Sequence, residues 1–125
     1  MSNKPVTVLA SAARTATTNS DDQQNLDAHG VRFYLNITAV SGSSPTLDVK
    51  VQAKDPVAGG YFDIPSAAFA QKTGTGSDDL TVYPGIAETS NETVSDVIPR
   101  DWRVVATLGG SSPNFTFSLG AHYLK

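Results

Sequence analysis

The chain has 125 residues, nine Lys or Arg against twelve Asp or Glu, 17% charged residues and no cysteine. That length suits one domain, which buries roughly two thirds of the surface its unfolded chain exposes, and the missing cysteines exclude disulfides and thiolate-held metals. The net charge of −3 is spread without any Lys/Arg cluster, which argues against nucleic acid as a partner.

In chain order, Met1-Ser2-Asn3-Lys4-Pro5 reads as a flexible N-terminal arm and Val6-Thr7-Val8-Leu9 as a first strand. The apolar stretch here is too short for a secretory leader, and no segment approaches a membrane span. The expectation is therefore a protein made in a cytoplasm, with no membrane partner. Residues 15–29 are polar and read as a long loop.

Alternation is clearest over residues 31–40. Val31, Phe33, Leu35, Ile37 and Ala39 fall on one face, and Arg32, Tyr34, Asn36 and Thr38 on the other. The breaker Ser41-Gly42-Ser43-Ser44-Pro45 follows, then Leu47, Val49 and Val51 alternate with Asp48, Lys50 and Gln52. This predicts a hairpin with a connection of about five residues. Tyr61-Phe62-Asp63-Ile64 is a short strand between Gly59-Gly60 and Pro65. Residues 67–72 and 80–83 are two more, flanking a Gly- and Asp-rich loop. Residues 84–99 read as a second long loop with one short helical turn.

A second hairpin is predicted near the end. Trp102, Val104, Ala106 and Leu108 alternate with Arg103, Val105 and Thr107, and Gly109-Gly110-Ser111-Ser112-Pro113 breaks the pattern. Phe115, Phe117 and Leu119 then resume it. Gly-Ser-Ser-Pro thus occurs twice, each time before an alternating strand. That repetition fits either an internal duplication or convergence on similar turns. About seven or eight short strands without helical crossovers specify an all-β domain, an antiparallel β-sandwich or jelly roll spanning residues 1–125. Trp102, Phe115 and Phe117 are expected in its core.

No catalytic constellation is visible. His29 and His122 are the two imidazoles, and no Gly-x-Ser-x-Gly elbow accompanies them. Asp21-Asp22 and Asp78-Asp79 lack the spaced oxygen ligands of a calcium loop. Gly74-Thr75-Gly76 lacks the Lys-Ser/Thr tail of a phosphate loop. The expectation is no enzyme, no cofactor and no metal. Tyrosine buries apolar area while keeping a polar handle, so Tyr34, Tyr61, Tyr83 and Tyr123 are the candidate partner-binding residues. A glycan site would draw on Tyr61, Tyr83 and Asp63.

Three segments resemble small β-rich structural proteins of tailed bacteriophages. They are Val8-Leu9-Ala10-Ser11-Ala12-Ala13-Arg14-Thr15, then Ser44-Pro45-Thr46-Leu47-Asp48-Val49-Lys50-Val51-Gln52, and the stretch from Trp102 to Thr107 that leads into Ser112-Pro113-Asn114-Phe115-Thr116-Phe117-Ser118. The resemblance implies a virion component, a capsid decoration (cement) protein that coats the head. Its implied partners are the major capsid protein and further copies of itself, as a dimer or trimer. Residues 1–5 and 15–29 are the segments expected to order on that contact. The alternative is a neck or tail accessory that binds host glycan or another tail protein.

Overall fold

Two strands of unusual length organise the molecule. The computed structural model describes residues 4–125, and its elements are all strands. These are β1 (Pro5–Arg14), β2 (Thr18–Asn19), β3 (Gln23–Gln24), β4 (Gly30–Lys54), β5 (Tyr61–Ala68), β6 (Gly76–Val82), β7 (Thr93–Val94) and β8 (Asp101–Leu124). The all-β reading of the sequence holds. The helical turn expected within residues 84–99 is not present, and two short turns and β7 occupy that stretch.

The two predicted hairpins are replaced by a different pairing. Strands β4 and β8 run on through their Gly-Ser-Ser-Pro segments and pair antiparallel with each other, from Gly30 opposite Leu124 to Ala53 opposite Trp102. A five-residue loop that reverses the chain and a corner that only bends it look alike in composition. Here the backbone bends: Gly42 and Gly110 have φ of 115° and 99°, and Ser44 and Ser112 both have φ of 48°.

The register reveals a local two-fold relation. Ser43 faces Ser111; to one side Ser41 faces Asn114 and Val40 faces Phe115, and to the other Thr46 faces Gly109 and Leu47 faces Leu108. Adding 68 to each β4 number near the corner gives its β8 counterpart and returns the same set of pairs. The equivalence extends to sterics. A Cβ on Gly42 would lie 2.6 Å from the Ser112 carbonyl oxygen, and one on Gly110 would lie 2.5 Å from that of Ser44. Each corner needs a glycine because the other corner's backbone passes against it.

This corner folds the ladder into two layers. Phe33 lies ten residues before Ser43, and Trp102 nine before Ser111 on the opposite side of the dyad. A flat ladder rising ~3.3 Å per residue would hold them roughly 60 Å apart. Their rings instead meet edge to face at 5.5 Å. One layer comprises β1, the second half of β8, the first half of β4, β6 and β7. The other comprises β2, β3, the first half of β8, the second half of β4 and β5. A two-layered sandwich is compatible with this arrangement.

The core lies between the layers. Val31, Phe33, Leu35 and Ile37 from β4 meet Trp102, Val104 and Ala106 from β8, and Phe115, Phe117 and Leu119 complete it. Ala39, expected to face inward, is exposed, because the extra residue Thr38 bulges β4 between the pairs Ile37–Phe117 and Ala39–Thr116 and reverses the facing. The loop at 15–29 is fastened to β8 by β2 and β3. Between them Ser20 exchanges 2.8 Å hydrogen bonds with both backbone groups of Val104. Asn25 donates to the carbonyls of Ala28 and Ile98 and accepts from the Ala28 N–H, which ties this stretch to the segment before β8. Of the expected N-terminal arm, Pro5 already opens β1, the Lys4 carbonyl accepts from the Tyr123 N–H, and residues 1–3 lie outside the described residues.

Edge strands are guarded. β1 is bulged twice against β8, and Arg14 turns back over it, donating to the carbonyls of Ala10, Ala12 and Phe117 at 2.6, 3.2 and 2.7 Å. Its guanidinium also sits 4.5 Å from the Phe117 ring centroid. β5 carries Pro65, and its register with β4 breaks between Lys50 and Gln52. Charges, bulges and prolines at an edge oppose pairing with another chain.

Candidate functional site

The outer face of the first layer follows from the alternation of β4. With odd positions buried, Arg32, Tyr34 and Asn36 stand outward side by side. β6 places Asp79 opposite Tyr34 and Ser77 opposite Asn36, while β8 places His122 opposite Arg32 and Gly120 opposite Tyr34. Arg32 and Asp79 form a salt bridge, and the Ser77 hydroxyl donates to Asn36 Oδ1 at 3.0 Å. The Tyr34 hydroxyl is 3.5 Å from His122 Nε2, with the rings tilted at 5.3 Å. Arg32, Tyr34, Asn36, Ser77 and Asp79 line an open cleft of about 400 Å³.

The outer face of the second layer is a closed polar mesh. Asp63 accepts from Lys50 at 3.1 Å and from Gln52 at 2.9 Å, and Arg103 Nε donates to Gln52 at 2.9 Å. The Arg103 guanidinium stacks on Tyr61 at 3.5 Å, and the Tyr61 hydroxyl donates to Asp22 at 2.7 Å. Lys54 reaches the same carboxylate at 2.6 Å. Hydrogen bonds from Lys54 and then Tyr61 hold the Asp22 carboxyl below the usual range. Those from Gln52 and then Lys50 do the same for Asp63. Asp22 in turn raises Lys54.

The four tyrosines singled out in the sequence do not share one site. Tyr34 is 40% exposed beside the cleft. Tyr61 is built into the mesh. The Tyr83 hydroxyl donates to the Lys125 carbonyl at 3.0 Å, with its ring 6.3 Å from that of His29. Tyr123 is a core residue, 7% exposed, and its hydroxyl donates to the Gln24 carbonyl at 2.7 Å. Burial pushes its phenol up, and the nearby Trp102 N–H opposes this weakly without reaching hydrogen-bond geometry. The candidate glycan trio is divided as well: Tyr61 and Asp63 lie in the mesh, and Tyr83 makes its contacts elsewhere. Three of the four paired carboxylates are engaged, Asp22 by Lys54, Asp78 by Lys72 at 2.6 Å and Asp79 by Arg32. Among the described residues, no group of three or more His, Cys, Asp or Glu is placed to hold a metal ion, and no helix is long and apolar enough to cross a membrane.

The chain matches no protein family, curated protein or solved structure.

Period-two alternation leaves no signature for the large apolar side chains that face water. Leu26, Val57, Phe62 and Val97 are exposed, three of them in loops whose composition reads as polar. Val57, 94% exposed, sits at the tip of the β4–β5 hairpin. That tip is not loose. Asp55 Oδ1 accepts from the N–H groups of Val57 and Ala58 at 2.9 and 3.2 Å, and the Asp55 N–H donates to the Gly60 carbonyl at 2.7 Å.

Proposed function

We propose that this protein is a structural component of a phage virion, a capsid decoration protein that binds the major capsid lattice as a dimer or trimer and stabilises the head. The observation that carries the reading is the β4–β5 hairpin, an ordered turn that holds Val57 almost fully in water with Phe62 also exposed nearby. A turn whose backbone is already ordered in this way has little backbone entropy left to lose when its apolar side chain enters a socket on a partner. The guarded sheet edges direct association away from open-ended strand pairing. The resemblance of the Ser-Pro strands to phage structural proteins supports the same class. One hairpin contributes little alone. Several copies in one oligomer, engaging a repeating lattice together, multiply that contribution through effective concentration, and a ligand that binds only the assembled shell stabilises it by mass action.

The test mixes the purified protein with capsids that lack a decoration protein, pellets them and counts copies bound. Binding in fixed ratio to the major capsid protein, with a raised capsid melting temperature and loss of both on Val57→Asp, is the expected result. A handful of copies per particle would move the protein to the neck or tail, and no binding would refute the virion-surface role.

A further inference from the structure

We infer that the cleft between β4 and β6 is a binding site for a neutral hexopyranose, with the Tyr34 ring as its floor and Arg32, Asn36, Ser77 and Asp79 as its polar wall. The inference stands apart from the lattice reading and uses a different face of the molecule.

A sugar ring has two requirements that distinguish it from other small ligands. One face of clustered C–H groups needs a flat apolar partner, and its hydroxyls each need to donate and accept at once. Tyr34 meets the first. It is the only one of the four tyrosines among the exposed large side chains. Tyr61 has a guanidinium stacked on its ring at 3.5 Å, whereas over Tyr34 the Arg32 guanidinium stands off at 5.5 Å and the His122 ring is tilted at 5.3 Å, both from the paired positions 32 and 122 on one side of Tyr34 along the strand. The residue opposite Tyr34 on β8 is Gly120, so no side chain rises beside the ring from that position.

The polar wall meets the second requirement. Arg32 offers only donors and Asp79 only acceptors, and the two are fixed against each other by their ion pair. Asn36 and Ser77 form the next pair along the strands. The Ser77 hydroxyl occupies Asn36 Oδ1 and so turns the Asn36 amide NH₂ away from itself. Donor and acceptor thus alternate along two adjacent strands, already oriented before a ligand arrives, which lowers the ordering cost of binding. The charges set the ligand class. Arg32 is neutralised by Asp79, and Asp78 on the same strand is neutralised by Lys72. The cleft therefore carries no surplus positive charge to hold a phosphate or carboxylate. At about 400 Å³ it lies near the lower end of small-molecule sites, and it is open rather than enclosed. Such a shape admits one sugar unit within a longer chain and gives weak binding per site.

Saturation-transfer difference NMR tests this on the full chain with methyl β-galactopyranoside, methyl α-glucopyranoside and methyl N-acetyl-β-glucosaminide in turn. The expected result is saturation of the ring C–H protons of at least one glycoside, with amide shifts confined to residues 32–36 and 77–79. Tyr34→Ala should weaken binding about tenfold and Tyr61→Ala should leave it unchanged. Should Tyr34→Ala fail to fold, Asn36→Ala at its exposed neighbouring position must show the loss instead. Absence of transfer to all three glycosides would overturn the inference. So would transfer that survives both the Tyr34 and Asn36 substitutions, or shifts that map to the Tyr61 mesh.

Discussion

Replacing Gly110 by alanine tests the crossing of β4 and β8 directly. The Cβ would lie 2.5 Å from the Ser44 carbonyl oxygen and 3.0 Å from Pro45 Cα, both backbone atoms of a paired strand. An L-residue at φ +99° costs about 1–2 kcal/mol for the conformation itself. Pushing two paired backbones apart adds about 1–3 kcal/mol, as for other overpacked sites. The expected loss is thus ~2–5 kcal/mol, a large part of the stability of an ordinary domain. Gly59→Ala is the control. Its φ of +82° imposes similar strain, but nothing lies within 4 Å of the new Cβ, so only the first term applies. The local dyad adds a sharper requirement: Gly42→Ala meets Ser112 and Pro113 as Gly110→Ala meets Ser44 and Pro45, so the two should cost the same to within about 1 kcal/mol. The double variant should cost less than their sum, because both strain one crossing. Urea unfolding followed by Trp102 fluorescence measures each, with midpoints falling by ~1–3 M for the corner variants at typical slopes. A Gly110→Ala midpoint equal to that of Gly59→Ala would refute the close crossing, and unequal corner variants would refute the dyad.

Three further outcomes are expected. Asp22 and Asp63 are held below the usual carboxylate value of 3.8, so their contribution is present at neutral pH and fades as pH falls below about 4; Asp22→Asn with Asp63→Asn should flatten that acid loss in pH-dependent melting. Arg14→Ala uncovers the Ala10 and Ala12 carbonyls, and should both destabilise by about 1–3 kcal/mol and produce concentration-dependent dimers in sedimentation that Arg14→Lys partly suppresses. Trp102→Phe discards a buried N–H that has no hydrogen-bond partner among the described residues. It should therefore cost clearly less than the ~3–5 kcal/mol of Trp102→Ala, and equal losses in thermal melts would contradict that account.

The strands and most of the core were legible because burial on one face leaves a period-two signature. Val31 to Ile37, and Phe115 to Leu119, carry it without interruption. The phase starting at Phe115 also carries Tyr123 inward with Leu119 and Ala121, so its removal from the surface was readable in principle. Strand partners were not legible, since Leu47, Val49 and Val51 alternate in the same way whether they pair with residues 31–40 or with residues 102–108. The corner escaped for a related reason. Its positive-φ positions include Ser44 and Ser112, residues with no strong preference for that region, and its two glycines are explained only by a segment 68 residues away. The cleft was half visible. Arg32, Tyr34 and Asn36 follow from alternation, but placing Asp79 and Ser77 beside them needs the register of β6.

β8 is the partner of β1, β2, β3 and β4, and it is the last of the eight strands to be made. On the ribosome, β4 can pair early only with β5 and β6, while β1 and the long β4 edge that β8 covers must wait until residues beyond 100 have emerged. Few native contacts can form early, and nearly all close long loops, which predicts slow folding for a chain of this size. During that interval exposed apolar surface and unpaired strand edges make the nascent chain prone to aggregation. The crossing that stiffens the finished molecule also leaves it incomplete until β8 has been made.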